Sequence, residues 1–132
     1  MSVPPVVRYL IPCDDVRVDE ANAALVSIVG VMSAIRSTAD PPYPLHRPLL
    51  CVFVMLTNCR GPILGQIVII EADTGDTVSA TTEHVLSLPT DPLEIACYSF
   101  RIGAVYFPAA GLYWVQFWCD GAMLHQMPLL LR

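Results

Sequence analysis

The chain has 132 residues, of which 55% are hydrophobic and only 14% charged, with a net charge of −5. That is the length of one ordinary domain, and it can bury roughly two-thirds of its extended surface without disulfides or metals. A typical domain has about a quarter of its residues charged, so the shortage of charge here points to a surface that meets another chain.

All seven basic residues are arginines and they are scattered, with no run or stripe. The electrostatic footprint of a nucleic-acid binder is therefore missing, as is that of a protein held on an anionic membrane. The start Met-Ser-Val-Pro-Pro has no basic segment leading into an apolar core, so no signal peptide is expected. The longest uncharged run, Ala21 to Ile35, falls short of the about 20 apolar residues a spanning helix needs. A cytoplasmic protein with no membrane partner is the expectation.

Val3 to Pro12 opens with prolines and continues as Val6-Val7-Arg8-Tyr9-Leu10-Ile11, a β-branched and aromatic run that predicts a first strand. Cys13 to Glu20 predicts a turn with a short extended piece. Its acids Asp14, Asp15, Asp19 and Glu20 lack the spacing, central glycine and final glutamate of a calcium loop, and read as solvated carboxylates. Ala21 to Ser37 is apolar on both faces. Its alanines favour a helix, whereas Val26, Ile28, Val29, Val31, Ile35 and the interior Gly30 favour a strand over Leu25–Arg36, bulged at Gly30.

Ser37 to Pro48 is a proline-rich loop of a dozen residues, read as a crossover between layers in which Tyr43, His46 and Arg47 are the candidate recognition side chains. Leu49 to Asn58 is apolar at nearly every position, which predicts a strand covered on both faces, and Ile63 to Ala72 reads as a second of that kind. Asp73-Thr74-Gly75-Asp76 then turns the chain into an exposed strand from Thr77 to Thr82. His84 to Asp91 reads as a loop. Leu93 to Phe107 predicts one long strand with a kink at Gly103, its core face formed by Ala96, Tyr98, Phe100 and Ile102.

The last segment carries the strongest signals. Pro108 and Gly111 mark a turn, an aromatic strand follows, and Asp120-Gly121 predicts a two-residue hairpin turn into a closing strand. Trp114, Gln116 and Trp118 share one face of the strand Leu112–Cys119, with Tyr113, Val115, Phe117 and Cys119 on the other. If the second set meets the core, the tryptophans and the glutamine face outward, with the composition of a protein or sugar contact.

Motifs for chemistry are absent from the sequence. The five cysteines have no CxxC pair and read as reduced core thiols. The histidines His46, His84 and His125 have no metal-ligand spacing, and no nucleophile elbow or phosphate-binding glycine loop occurs. Cys119 and His125 are the one Cys–His pair the last hairpin could bring near, but Cys119 should pair with Ala122, three positions from His125. No catalytic or metal residue is assigned and no cofactor is expected.

The pattern Phe107-Pro108-x-x-Gly111-x-Tyr113, then Asp120-Gly121-x-x-Leu124, then Pro128-Leu129-x-Leu131, resembles a family of small bacterial all-β proteins of unknown function. Val29-Gly30-Val31-Met32-x-x-Ile35 is similar to that family's second strand. The resemblance implies an immunoglobulin-like β-sandwich. With the periodicities, the expectation is an all-β fold of one domain over 1–132, two antiparallel sheets and about seven or eight strands. The expected function is non-catalytic: a protein-interaction or assembly module that self-associates through an apolar sheet face. Trp114, Gln116 and Trp118, with Tyr43, His46 and Arg47, are the candidate contact residues. A sandwich binding a glycan or other small ligand through exposed aromatics is the alternative, ahead of an enzyme with a spatially assembled Cys/His site.

Overall fold

The computed structural model describes residues 4–22, 25–87, 89 and 91–132. Val3 at the head of the predicted first strand, Ala23 and Ala24 in the ambiguous run, and Leu88 and Thr90 in the predicted loop lie outside them. The described residues form eleven strands and no helix, more strands than the seven or eight expected. The excess comes from short pieces, β2 (Asp15–Val18), β3 (Val26–Val29), β4 (Ala34–Ile35), β7 (Thr77–Ala80) and β8 (His84–Leu86). The long elements are β1 (Val6–Cys13), β5 (Leu45–Thr57), β6 (Ile63–Glu71), β9 (Ala96–Phe107), β10 (Gly111–Cys119) and β11 (Ala122–Leu131).

These strands build a three-stranded sheet in the order β1-β5-β9 and a six-stranded sheet in the order β4-β11-β10-β6-β7, with β8 also pairing β6. All pairings are antiparallel except β4 with β11, where Ala34 and Ile35 run parallel to Leu130 and Leu131. One core joins the two sheets. Leu50, Val52, Val54 and Leu56 from β5 meet Ile67 and Ile69 from β6 and Tyr113, Val115 and Phe117 from β10. Each buried aliphatic or aromatic side chain contributes about 1.5–3 kcal/mol relative to exposure, so this shared layer dominates stability.

The ambiguous run is neither a helix nor one bulged strand. It splits at Gly30, whose φ of +67° ends β3, and a side chain there would strike the Asp14 carboxylate. Val31 and Met32, expected in the strand, lie in the link to β4, which sits in the other sheet. A single apolar run is thus divided between two layers, because glycine lets the chain turn where β-branched residues alone would continue.

β5 begins before the predicted strand, at Leu45, and takes in His46, Arg47 and Pro48 from the proline-rich segment. On β9 the kink falls at Ala104, with φ +55°, rather than at Gly103. There the buried positions change parity, from Ala96, Phe100 and Ile102 to Val105 and Phe107. β5 changes with it, from Leu50, Val52 and Val54 back to half-buried Leu45, so both strands keep an apolar face on the core through the bend. The predicted core face of β9 holds, with Tyr98 half-buried. His84 to Leu86, read as loop, is a short strand on the edge of β6.

The outer face of the three-stranded sheet is capped by the hairpin of β2 and β3, which pairs only with itself. Val16 from β2 buries against Cys13, Cys51 and Phe53, with Val26 and Ile28 packed beside them. This covers β5 on both faces from Leu50 to Val54, as its unbroken apolar run predicts. Ion pairs hold the cap. Arg101 donates to Asp15 at 2.7 Å, Arg17 donates to the other Asp15 oxygen at 3.3 Å, and Arg47 pairs with Asp14.

The hydrogen bond from Arg17, then that from Arg101, hold the Asp15 carboxyl below the 3.8 of a free side chain. A lowered folded value means that this contribution is complete above 3.8 and disappears as pH falls through the folded value. Acidification below that range is therefore expected to loosen the hairpin before the core. Proton NMR should show contacts between Ile28 and Phe53 fading while those between Phe100 and Phe117 persist.

Candidate functional site

Strand β10 settles which of its faces meets the core. Tyr113, Val115, Phe117 and Cys119 are buried, and Trp114 and Trp118 lie half-buried on the outer face of the six-stranded sheet. Asp120 and Gly121 both have positive φ, 51° and 80°, as the hairpin turn requires, and Cys119 stands opposite Ala122.

The neighbouring strands extend the outer face sideways in rows. Trp114 lies between Ile70 of β6 and Pro128 of β11, Gln116 between Val68 and Gln126, and Trp118 between Gln66 and Met123. Leu112 stands opposite Leu130 beyond the first row. No charged residue occupies any of these positions.

The polar groups in this patch are mostly consumed within it. Trp118 Nε1 donates to Gln116 Oε1 at 3.0 Å, Gln116 Nε2 donates to Gln126 Oε1 at 3.0 Å, and Gln66 Nε2 donates to the Thr81 carbonyl at 2.8 Å. Gln116 is only 7% exposed although it faces outward, held between its bonds to Trp118 and Gln126. The result is an amphipathic surface in which Trp118, Gln116 and Gln66 already donate within the protein, so covering it leaves those donors satisfied. β6, read as covered on both faces, is covered only on the core side by the described residues. Leu64 is exposed and Val68 and Ile70 are half-buried.

The other candidate residues do not join this patch. Tyr43 packs against the core, its hydroxyl buried with no hydrogen-bond partner, rather than standing exposed on the proline-rich segment. Removing that hydroxyl in Tyr43→Phe is expected to leave stability unchanged or to raise it by up to about 1 kcal/mol, measured by urea unfolding, because an unmet buried hydroxyl is costly. His46 is exposed and stacks on Tyr106 of β9 with ring centroids 4.5 Å apart, and Arg47 is engaged by Asp14. Both residues belong to the three-stranded sheet.

Cys119 and His125 are not brought together. An irregularity between Phe117 and Trp118 shifts the register by one, so His125 lies opposite Phe117. Burial first, and the neighbouring Asp120 next, push the Cys119 thiol up to about 11, so it carries its proton at neutral pH. Its sulfur lies 3.9 Å from the Asp120 carboxylate. All five cysteines are free, and among the described residues no group of three or more His, Cys, Asp or Glu could hold a metal ion.

A family model, described as a family of unknown function (DUF6941), matches residues 8–132, from β1 through the end of β11. The chain belongs to this family. No curated protein matches the chain. The match spans every row of the outer patch and the strand pairings beneath it, so the sheet that presents Trp114 and Trp118 lies wholly within the DUF6941 region.

Sequence reading missed Val68, Ile70, Gln126 and Pro128 as members of the patch. For β6 the signal was present, since Val68 and Ile70 alternate with the buried Ile67 and Ile69. For β11 it was not, because the register shift that sets Gln126 opposite Gln116 leaves no mark in residue type.

Proposed function

We propose that the chain is an immunoglobulin-like β-sandwich acting as a non-catalytic interaction and assembly module, which self-associates through the outer face of its six-stranded sheet. The fold reading is supported by strand order. A three-stranded sheet of the first, second and fourth long strands faces a sheet in which the other three long strands lie side by side, with an early short strand running parallel to the final one. It is supported further by Tyr113, near the start of β10. Its hydroxyl donates to the Ala109 carbonyl at 2.6 Å and accepts from the Ala109 amide at 3.3 Å, the bond of a tyrosine corner. Val115 stands two residues on, where an immunoglobulin domain proper has a cysteine.

The observation that carries the functional reading is the uncharged row structure around Trp114, Gln116 and Trp118. Tryptophan-rich centres with charge excluded are the composition of an interface core, and large exposed apolar patches mark sites of association. The free cysteines support a cytoplasmic, thiol-reducing setting, and a bacterial source rests on the resemblance of the turn residues. Static light scattering in moderate salt should give a mass of at least twice 14.5 kDa. A single 14.5 kDa species up to high concentration overturns the proposal. The glycan reading is weaker because the Trp118 N–H and the Gln116 amide, the natural partners for sugar hydroxyls, are engaged within the face.

A further inference from the structure

Cys13 and Cys51 are directly opposed Cα partners on β1 and β5. Both are fully buried, and both belong to the small cluster under the β2–β3 hairpin, apart from the main core. Directly opposed residues of an antiparallel pair have Cα atoms about 4.5–5.5 Å apart. That lies inside the window of about 4.4–6.8 Å that a disulfide spans without backbone movement. We infer that Cys13 and Cys51 are an oxidation site, a dithiol that closes into a cross-strand disulfide when the β2–β3 hairpin lifts.

The hairpin controls access. It is a two-stranded unit, which is marginal on its own, held down by the Val16, Val26 and Ile28 contacts and by the ion pairs to Arg47 and Arg101. Such units open at a lower free energy than the whole fold. While it is closed, burial pushes the Cys13 thiol up to about 11, and neighbouring Cys51, Asp14 and Asp15 add to that, so the pair is protonated and inert. The two thiols are not equivalent. Burial also raises Cys51, but Arg101 opposes the rise, and no arginine does so at Cys13. Arg101 is the cross-strand neighbour of Cys51 on β9, and once the hairpin lifts and its pairing with Asp15 is broken its charge favours the Cys51 thiolate, so Cys51 is the attacking sulfur and Cys13 the resolving one.

The oxidant is a small-molecule disulfide of the glutathione class. Cys51 gives its proton to solvent, and its sulfur attacks one sulfur of the oxidant, releasing the other as a thiolate and leaving a mixed disulfide. Cys13 gives up its proton and attacks the Cys51 sulfur, expelling the second small thiolate. The expelled thiolates take up two protons, so the protein loses two protons and two electrons and the oxidant gains them.

The test is to incubate the reduced protein with oxidised glutathione at neutral pH, quench with acid, block the remaining thiols by alkylation and map the peptides by mass spectrometry. A linkage joining Cys13 to Cys51, distinguished from Cys59 by fragment spectra, is the expected product. Ile28→Ala loosens the hairpin without altering any charge near the sulfurs, and is expected to speed the linkage several-fold. Val26→Ala serves as an independent second variant, and Cys13→Ala must abolish the linkage. The inference is overturned if oxidation yields only mixed disulfides or links among other cysteines. It is overturned equally if the linkage forms at the same rate in the wild type and both hairpin variants.

Discussion

Replacing Trp114 and Trp118 together by arginine is expected to abolish the proposed self-association while leaving the two sheets folded. Both indoles are half-buried at the centre of an uncharged face, and the core beneath them is built by Tyr113, Val115 and Phe117, which the change does not touch. Central aromatic residues of interfaces typically contribute about 2 kcal/mol or more each. Two of them lost, with charge placed where no partner charge waits, should weaken association by at least roughly a thousandfold. Sedimentation velocity reads the mass, and near-ultraviolet circular dichroism of the remaining aromatics reads the fold. Tyr106→Arg, on the exposed side of β9, is the control and should leave the mass unchanged. Dissociation by Tyr106→Arg with the double variant still associated would place the interface on the other sheet.

The largest expected loss of stability is at Tyr113. Tyr113→Ala removes a fully buried ring that meets Phe107 edge-on with centroids 5.1 Å apart, and also strips the Ala109 amide and carbonyl of their partner. Large aromatic-to-alanine changes cost about 3–5 kcal/mol. Tyr113→Phe keeps the ring and isolates the hydrogen bonds, for which about 1–3 kcal/mol is expected. Chemical denaturation of the two variants separates packing from bonding. A Tyr113→Phe variant as stable as the wild type would show that the corner bond holds nothing the ring does not. Burial pushes the Tyr113 phenol up, so the hydroxyl stays protonated and the bond is kept over the working pH range.

Much of this architecture was legible from period and punctuation alone. The alternation of β9, the two-sided apolar run of β5 and the Asp120-Gly121 turn each have one physical solution, and the structure adopts it. The division of β10 into a core face and a tryptophan face was also legible, because tyrosine, valine, phenylalanine and cysteine alternate with the two indoles. What stayed hidden were features decided by partners distant in sequence. Nothing local says that Gly30 ends β3 and hands Ala34 to the other sheet, since that depends on where Leu130 lies. The register shift at Phe117 is also unmarked, yet it decides that Gln126 rather than His125 completes the polar row with Gln116. Tyr43 looked available because it stands among prolines, and was taken inward by a core that the segment itself does not reveal.

The parallel pairing of β4 with β11 also bears on how fast the molecule forms. Ala34 and Ile35 bond to Leu130 and Leu131, so the edge of the six-stranded sheet closes only when residues 34–35 and 130–131 have been brought together across the intervening chain. Such distant closures are entropically slow, and sandwiches dominated by them fold over milliseconds to seconds. During that interval the Trp114 face of β10 and β6 can form from their own register, while the strand that ties the early chain to the last one is still missing. The surface proposed to meet a second copy can therefore exist before the sheet bearing it is complete.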